Sequence, residues 1–315
     1  MTTNLKVQLA PKNHHGLLLA NPVMTASGTF GYGTEEGHIF DDIQKLGAII
    51  CKGTTLEPRE GNLQPRITET AFGALNSIGL QNIGIDALIK EQAPIWASWK
   101  KVPPVIVNIA GATIQEYARI AERLEGVPGI SGIEVNISCP NVKAGGAEFG
   151  TDPTSAAEVT AAVKRATSLP VLVKLTPNTN DITGIALAVA QAGADAISLI
   201  NTLKGMVIDT TRRKPLLGNI TGGLSGPAIK PVALYMVYQV YQVASAVTIP
   251  VIGCGGITTA QDAIEFIMAG ASAIQVGTAS FSNPRAPLDI LEGIINFLRE
   301  KEIQNISEII GVAQA

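Results

Sequence analysis

Charge is scarce in this sequence. Only 16% of its 315 residues are Asp, Glu, Lys or Arg, against about a quarter in an ordinary soluble chain. The 23 basic and 26 acidic side chains leave a formal net charge of −3. No basic excess exists to neutralise a run of phosphates, which argues against nucleic acid as a partner. Cysteine is scarce too: Cys51, Cys139 and Cys254 are far apart and odd in number, so neither a disulfide framework nor a C-x-x-C ligand pair is available, and a reducing, cytoplasmic setting is expected. His14, His15 and His38 have no spaced partners, which leaves a metal site or a histidine-based dyad without support. A long apolar run is missing as well. The purest stretch, Ile182 to Ala194, falls short of the roughly 20 residues that cross a bilayer, and the N-terminus lacks the pattern of a signal peptide. No membrane segment is expected. Finally, no linker or charge run divides the chain, so residues 1–315 are read as one domain.

What is present is apolar and periodic. Apolar residues make up 46% of the chain, ample for a core and incompatible with disorder. With 32 glycines and 18 prolines, tight turns and close backbone approaches are frequent. Eight short runs rich in Val and Ile read as strands: Pro22 to Ala26, Ala48 to Cys51, Val105 to Val107, Ile133 to Val135, Val171 to Val173, Ala196 to Leu199, Val251 to Gly253 and Ala273 to Val276. Several are apolar on both faces, as buried parallel strands are. Most lead into segments of helical period. After the fifth, Asp181 can cap a helix whose Ile182, Ile185, Ala186 and Val189 share a face, and Gly193 offers a left-handed stop. The joint Gln191-Ala-Gly-Ala-Asp-Ala-Ile recurs as Met268-Ala-Gly-Ala-Ser-Ala-Ile. Eight such units favour a closed (β/α)8 barrel over an open doubly wound sheet. Long irregular insertions are expected at Gly53 to Asn82 and Thr202 to Pro227, and loops of that length are usually functional.

In such a barrel the chemistry sits where strands end. The eight ends read Ser27-Gly28, Lys52-Gly53, Asn108, Asn136, Lys174, Asn201-Thr202, Gly255-Gly256 and Gly277-Thr278. Helix capping is a fair alternative for Ser27 and Thr202. For two lysines and three asparagines it is a poor one, because desolvating them without partners costs several kcal/mol. The Gly-rich turns after the last two strands free backbone N–H groups where phosphate-binding barrels hold phosphate, so a phosphate-bearing cofactor is implied. No G-x-G-x-x-G opens a helix after a strand, so a Rossmann site is not expected. Cys139 follows the fourth strand in Asn136-Ile-Ser-Cys-Pro-Asn141 and is the best placed of the three to be reactive; Cys51, inside a strand, and Cys254 read as packing residues.

These residues, taken with their neighbours, resemble the dihydroorotate dehydrogenases, flavin enzymes of pyrimidine biosynthesis. The segments that carry the resemblance are Ala26-Ser-Gly-Thr-Phe-Gly31, Lys52-Gly-Thr-Thr55, Asn76-Ser-Ile-Gly-Leu-Gln-Asn82, Asn136-Ile-Ser-Cys-Pro-Asn-Val142, Val173-Lys-Leu-Thr-Pro177, Ile200-Asn-Thr202, Gly222-Gly-Leu-Ser-Gly-Pro227, Gly253-Cys-Gly-Gly-Ile257 and Val276-Gly-Thr278. They run along almost the entire chain. The cysteine of Ser-Cys-Pro resembles the soluble class, since the membrane-bound class has serine there. Asn141-Val-Lys-Ala-Gly-Gly146 and the segment from Gly222 to Pro231 resemble its NAD-dependent type rather than the fumarate-dependent one.

The resemblance implies one FMN across the barrel mouth, its phosphate on Gly255, Gly256, Gly277 and Thr278, with Ser27, Lys52, Gly53, Asn108, Asn136, Ile200 and Gly226 lining the rest. Lys174 would face the edge of the flavin ring where negative charge gathers on reduction. Dihydroorotate would be held by Lys52, Asn76, Ser77, Ile78, Gly79, Leu80, Asn136, Asn201 and Thr202, with Asn141 a further candidate. Cys139 would remove the C5 proton while the C6 hydride passes to FMN N5. The resemblance also implies a homodimer of this chain, joined by an electron-transfer subunit carrying FAD and a [2Fe–2S] cluster in a heterotetramer. Rival readings are a fumarate-dependent enzyme, a dihydropyrimidine dehydrogenase module, a tRNA dihydrouridine synthase, which should carry a basic appendage this chain lacks, and a flavin-binding scaffold without turnover.

Overall fold

A computed structural model describes residues 3–35, 40–99, 103–138 and 148–315. Cys139 and Asn141, singled out by the sequence, lie outside the described residues, as does His38. The eight Val- and Ile-rich runs form β1 (Val23–Thr25), β2 (Ile49–Ile50), β3 (Val105–Ile109), β4 (Gly132–Asn136), β5 (Val171–Leu175), β6 (Ala196–Leu199), β7 (Val251–Cys254) and β8 (Ala271–Val276). Their neighbour order is β1-β8-β7-β6-β5-β4-β3-β2, and every pair is parallel. A parallel bridge between Met24 and Ala48 joins the two remaining edges, so the sheet closes into the expected (β/α)8 barrel.

Local chemistry explains the helices that follow α1 (Phe40–Ile43) and α2 (Gly84–Ala87, continued through Leu88–Gln92 and Ala93–Ser98). In α3 (Ile114–Leu124), Tyr117, Ile120, Ala121 and Leu124 are buried at helical spacing, and the Thr113 side chain accepts from the Glu116 N–H to cap its start. Asp152 caps α4 (Pro153–Ala166), and Asp181 caps α5 (Ile182–Gln191), as its sequence suggests. After α6 (Lys230–Ala246), Thr259 and Asp262 form a reciprocal capping box on α7 (Ala260–Met268). The repeated joint is real: Gly193 and Gly270 both take positive φ, 100° and 124°, the left-handed turn that sends each helix back to its strand. The last helix, α8 (Ala286–Glu300), covers β1 and α7. A short N-terminal hairpin, Val7–Gln8 with Leu18–Leu19, closes the far end of the barrel: its turn reaches Ser168 and Val247 through Asn13 and Lys12. No helix among the described residues is long and apolar enough to cross a membrane.

One expectation needs correction. The two insertions are not irregular. They pair with each other in an antiparallel four-stranded sheet, ordered Leu203–Gly205, Gly222–Ser225, Gly73–Asn76, Ile67–Thr70. Their strands are only partly buried and rich in glycine, so they carry neither the apolar run nor the clean alternation that marks a strand in sequence. The sheet stands at the C-terminal ends of the barrel strands and forms one wall above them.

Candidate active site

The barrel strands and this added sheet enclose a cavity of about 560 Å³. Ser27, Lys52, Gly53, Asn108, Asn136, Lys174, Ile200, Gly226, Gly255, Gly256, Gly277 and Thr278 all line it. So do Asn76, Ser77, Ile78, Gly79, Leu80, Asn201 and Thr202. Every described residue that the sequence assigned to a cofactor or substrate therefore faces one space.

At one rim the backbone itself is the surface. Gly255 and Gly256 adopt φ of +132° and +72°, a region closed to most side chains. A Cβ on Gly255 would lie 2.7 Å from that of Ala233, and one on Gly256 would lie 2.8 Å from the Gly226 carbonyl oxygen. The Thr278 hydroxyl donates to Ser225 Oγ at 2.8 Å, which ties the strand-8 turn to the added sheet. Glycine is required at both positions by this close packing, and the turn they make borders the cavity with backbone rather than side chains, the kind of surface that suits an anion.

The floor is charged. Lys174 on β5 is only 4% exposed, and its Nζ donates to Gln275 Oε1 at 3.0 Å with Cys254 Sγ 4.0 Å away. Below it lies Glu134, fully buried, which accepts from Gln275 Nε2 at 2.5 Å, Asn108 Nδ2 at 2.7 Å and Ser198 Oγ at 2.8 Å. Burial pulls the Lys174 pKa down, whereas Cys254, in its thiolate form only, and Glu134 push it up. Burial also pushes up the Cys254 thiol, which leaves Glu134 as the neighbour that pushes Lys174 up at neutral pH. The Cys51 thiol is pushed up to about 12, chiefly by burial, which fits the packing role read from sequence. Cys254 packs as expected but also lines the cavity. Glu134, Ser198 and Gln275 were not foreseen. Their signal was available: a polar residue interrupting an otherwise apolar strand.

The opposite side offers amides and hydroxyls. Asn201 Nδ2 donates to Asn136 Oδ1 at 3.1 Å and Ser138 Oγ at 2.9 Å, so two strand ends are braced against each other. Among the described residues the buried Ser77 hydroxyl has no partner. A buried hydroxyl left unpaired is costly, and this one stands where a ligand would supply the missing bond. The segment from Asn76 to Asn82 is held by Asn82, whose Nδ2 donates to the Leu80 carbonyl at 2.7 Å and to Thr55 Oγ1 at 2.8 Å, and whose Oδ1 accepts from the Thr55 and Gly84 N–H groups. Leu80 takes a positive φ of 56° within it, a conformation uncommon for a side chain of its kind and frequent at ligand clamps. Lys52 lines the cavity half-buried, with no carboxylate partner among the described residues.

The chain is similar to known proteins along almost its whole length. The family model described as dihydroorotate dehydrogenase matches residues 9–298. A protein of Pelobacter propionicus is 55% identical over 314 residues, covering all of both chains. One of Geotalea daltonii is 56% identical over 94% of this chain and 95% of its own, and one of Trichlorobacter lovleyi is 57% identical over 95% and 96%. All three bear the name dihydroorotate dehydrogenase B (NAD(+)), catalytic subunit.

Proposed function

The chain belongs to the dihydroorotate dehydrogenase family, and from that premise we propose that it oxidises (S)-dihydroorotate to orotate on a bound FMN, as the catalytic subunit of an NAD-dependent enzyme of pyrimidine biosynthesis. The observation that carries this is the composition of a single cavity: a glycine cradle at one rim, a buried lysine on the floor, and asparagines with an unpartnered serine on the far side.

The residues fit FMN. Gly255, Gly256, Gly277 and Thr278 would receive its phosphate, because all four line one rim of the cavity and the three glycines present backbone to it. Ser27, Gly53, Asn108, Ile200 and Gly226 would border the ring, and Lys174 would set a fixed cation beside its polar edge. When bound, FMN supplies the hydride acceptor, N5, for the hydrogen on C6 of the substrate. The protein's own part is to hold the ring of the substrate and move a proton. Asparagine offers both a donor and an acceptor and so matches the cyclic amide groups. Asn76, Asn136 and Asn201, with Ser77, Thr202 and the segment through Ile78, Gly79 and Leu80, would make that match, while Lys52 would meet the carboxylate. Cys139 Sγ would take the proton from C5.

Electrons must then leave. The three cysteines are too few and too dispersed for an iron-sulfur cluster, which usually takes four ligands. A second protein carrying FAD and a [2Fe–2S] cluster is therefore proposed to relay them to NAD⁺, with two copies of each chain in a heterotetramer located in the cytoplasm. Exposed apolar side chains gather on the added sheet and its loops, among them Leu63, Phe72, Met206, Ile208 and Ile220, as an interface between copies would require. A dye-linked assay tests the substrate assignment: dihydroorotate should be turned over and orotate should inhibit, while dihydrouracil, which lacks the carboxylate, should be a poor substrate. Preference for dihydrouracil would contradict it.

A further inference from the structure

Barrels of this type are usually filled by branched aliphatic side chains. Here a polar chain replaces part of that filling, directly under the cavity. Glu134 is 0% exposed, yet among the described residues its carboxylate contacts no cation. Its three donors, Asn108 Nδ2, Ser198 Oγ and Gln275 Nε2, are all neutral. An isolated buried charge is among the costliest groups a fold can carry. The offsetting charge is one residue away: Gln275 gives its amino end to Glu134 and its carbonyl end to Lys174 Nζ. Anion, amide and cation are thus aligned in one low-dielectric row, the arrangement in which hydrogen bonds reinforce one another.

We propose that Glu134 is a positioning residue that acts through Gln275 to keep Lys174 protonated and aimed at the cofactor cavity. The inference rests on the FMN reading above. The groups facing Lys174 are few. From β7 comes Cys254, a neutral thiol at neutral pH; from β4 comes Glu134; β6 and β8 contribute the uncharged Ser198 and Gln275; and the Cys51 thiol, just after β2 and near Glu134, is pushed up by burial. Among the described residues on these strands, Glu134 is the anion that can offset burial of the ammonium. Without it, burial alone would act on Lys174, and buried lysines without a counter-charge titrate several units low. A network that served only to fix the fold would have no need of this charge and would leave no trace in the titration of Lys174.

The test uses the FMN-loaded enzyme. Flavin midpoint potential and FMN dissociation constant are measured from pH 6 to 10 for the wild type, Glu134→Gln, Gln275→Met and the exchange variant Glu134→Gln/Gln275→Glu. Glu134→Gln keeps the shape but removes the charge. It should add a break to the potential profile, between about pH 6 and 9, above which the flavin is harder to reduce and FMN dissociates roughly tenfold more readily. The wild type should show no such break, and the exchange variant, which restores one carboxylate beside Lys174, should abolish it. Gln275→Met cuts the link while leaving Glu134 two donors, so it reports in the same direction should Glu134→Gln fail to fold. A folded variant of either kind with the wild-type profile overturns the proposal. A wild type that holds no FMN overturns the functional reading first and this inference with it.

Discussion

Lys174 and Lys52 carry the same charge into the same cavity in opposite settings. Lys174 is buried and hydrogen-bonded, whereas Lys52 is half-buried and has no carboxylate partner among the described residues. Lys174→Ala should therefore weaken FMN retention and lower the flavin midpoint potential, since it removes the cation and leaves Glu134 without its counter-charge. Lys52→Ala should act through substrate, raising the KM for dihydroorotate while the potential stays near that of the wild type. Potentiometry and steady-state kinetics on both variants check the division. Cys139→Ala should keep FMN and orotate binding while turnover falls roughly 10²- to 10⁴-fold, the usual contribution of a general base. A thiol titrates near about 8.5, so flavin reduction should speed up with pH toward that value; a flat profile would contradict the role. At this scale the sequence was legible wherever a polar residue ended an apolar run, as at Lys174, Asn136 and Asn201. At Glu134 and Gln275 the sequence shows the interruption but not its purpose, because a polar residue inside a strand finds its partners only when the barrel closes and brings β4, β5 and β8 around one axis.

The elements differ in how they announce themselves. All eight barrel strands were found within about two residues at each end, because strands buried on both faces are written as continuous Val and Ile. The added sheet was missed: Gly222, Gly223 and Gly73 supply backbone for close approach rather than side chains for a pattern. The glycine turns after β7 and β8 stand where the sequence places them, and they make a prediction. Gly255→Ala places a Cβ 2.7 Å from Ala233 at a φ of +132°, so it should destabilise the fold by about 1–3 kcal/mol and release FMN, both measurable by thermal unfolding with and without added cofactor. Another junction is electrostatic. Glu125, just after α3, accepts from the Ser168 and Thr167 hydroxyls and the Ser168 N–H ahead of β5, and these bonds hold its carboxyl at about 2, below its ordinary 4.5. A depressed folded-state pKa means stability present above about 4.5 and lost as pH falls toward about 2. Glu125→Gln should thus be less stable than the wild type at pH 7, by under about 1 kcal/mol for so exposed a site, and the difference in Tm should shrink over that acid range.

Over the whole molecule, the shortage of charge and the exposed apolar side chains of the added sheet suit a chain that works in an assembly. The cavity at the barrel mouth is the place proposed for cofactor and substrate, and nothing in the sequence resembles a dinucleotide-binding turn. Purified alone, the chain should oxidise dihydroorotate with an artificial dye and reduce NAD⁺ negligibly, with NADH production appearing on co-expression with the electron-transfer subunit. Robust NAD⁺ reduction by the isolated chain would remove the need for that partner, and robust fumarate reduction would assign another acceptor. The most direct measurement comes before any acceptor is added: the absorption spectrum of the purified chain, taken without oxygen, before and after one equivalent of dihydroorotate. The expected result is a flavin band that bleaches as orotate appears in equal amount. A purified, folded chain with no flavin band, or a band untouched by dihydroorotate, would contradict the central claim.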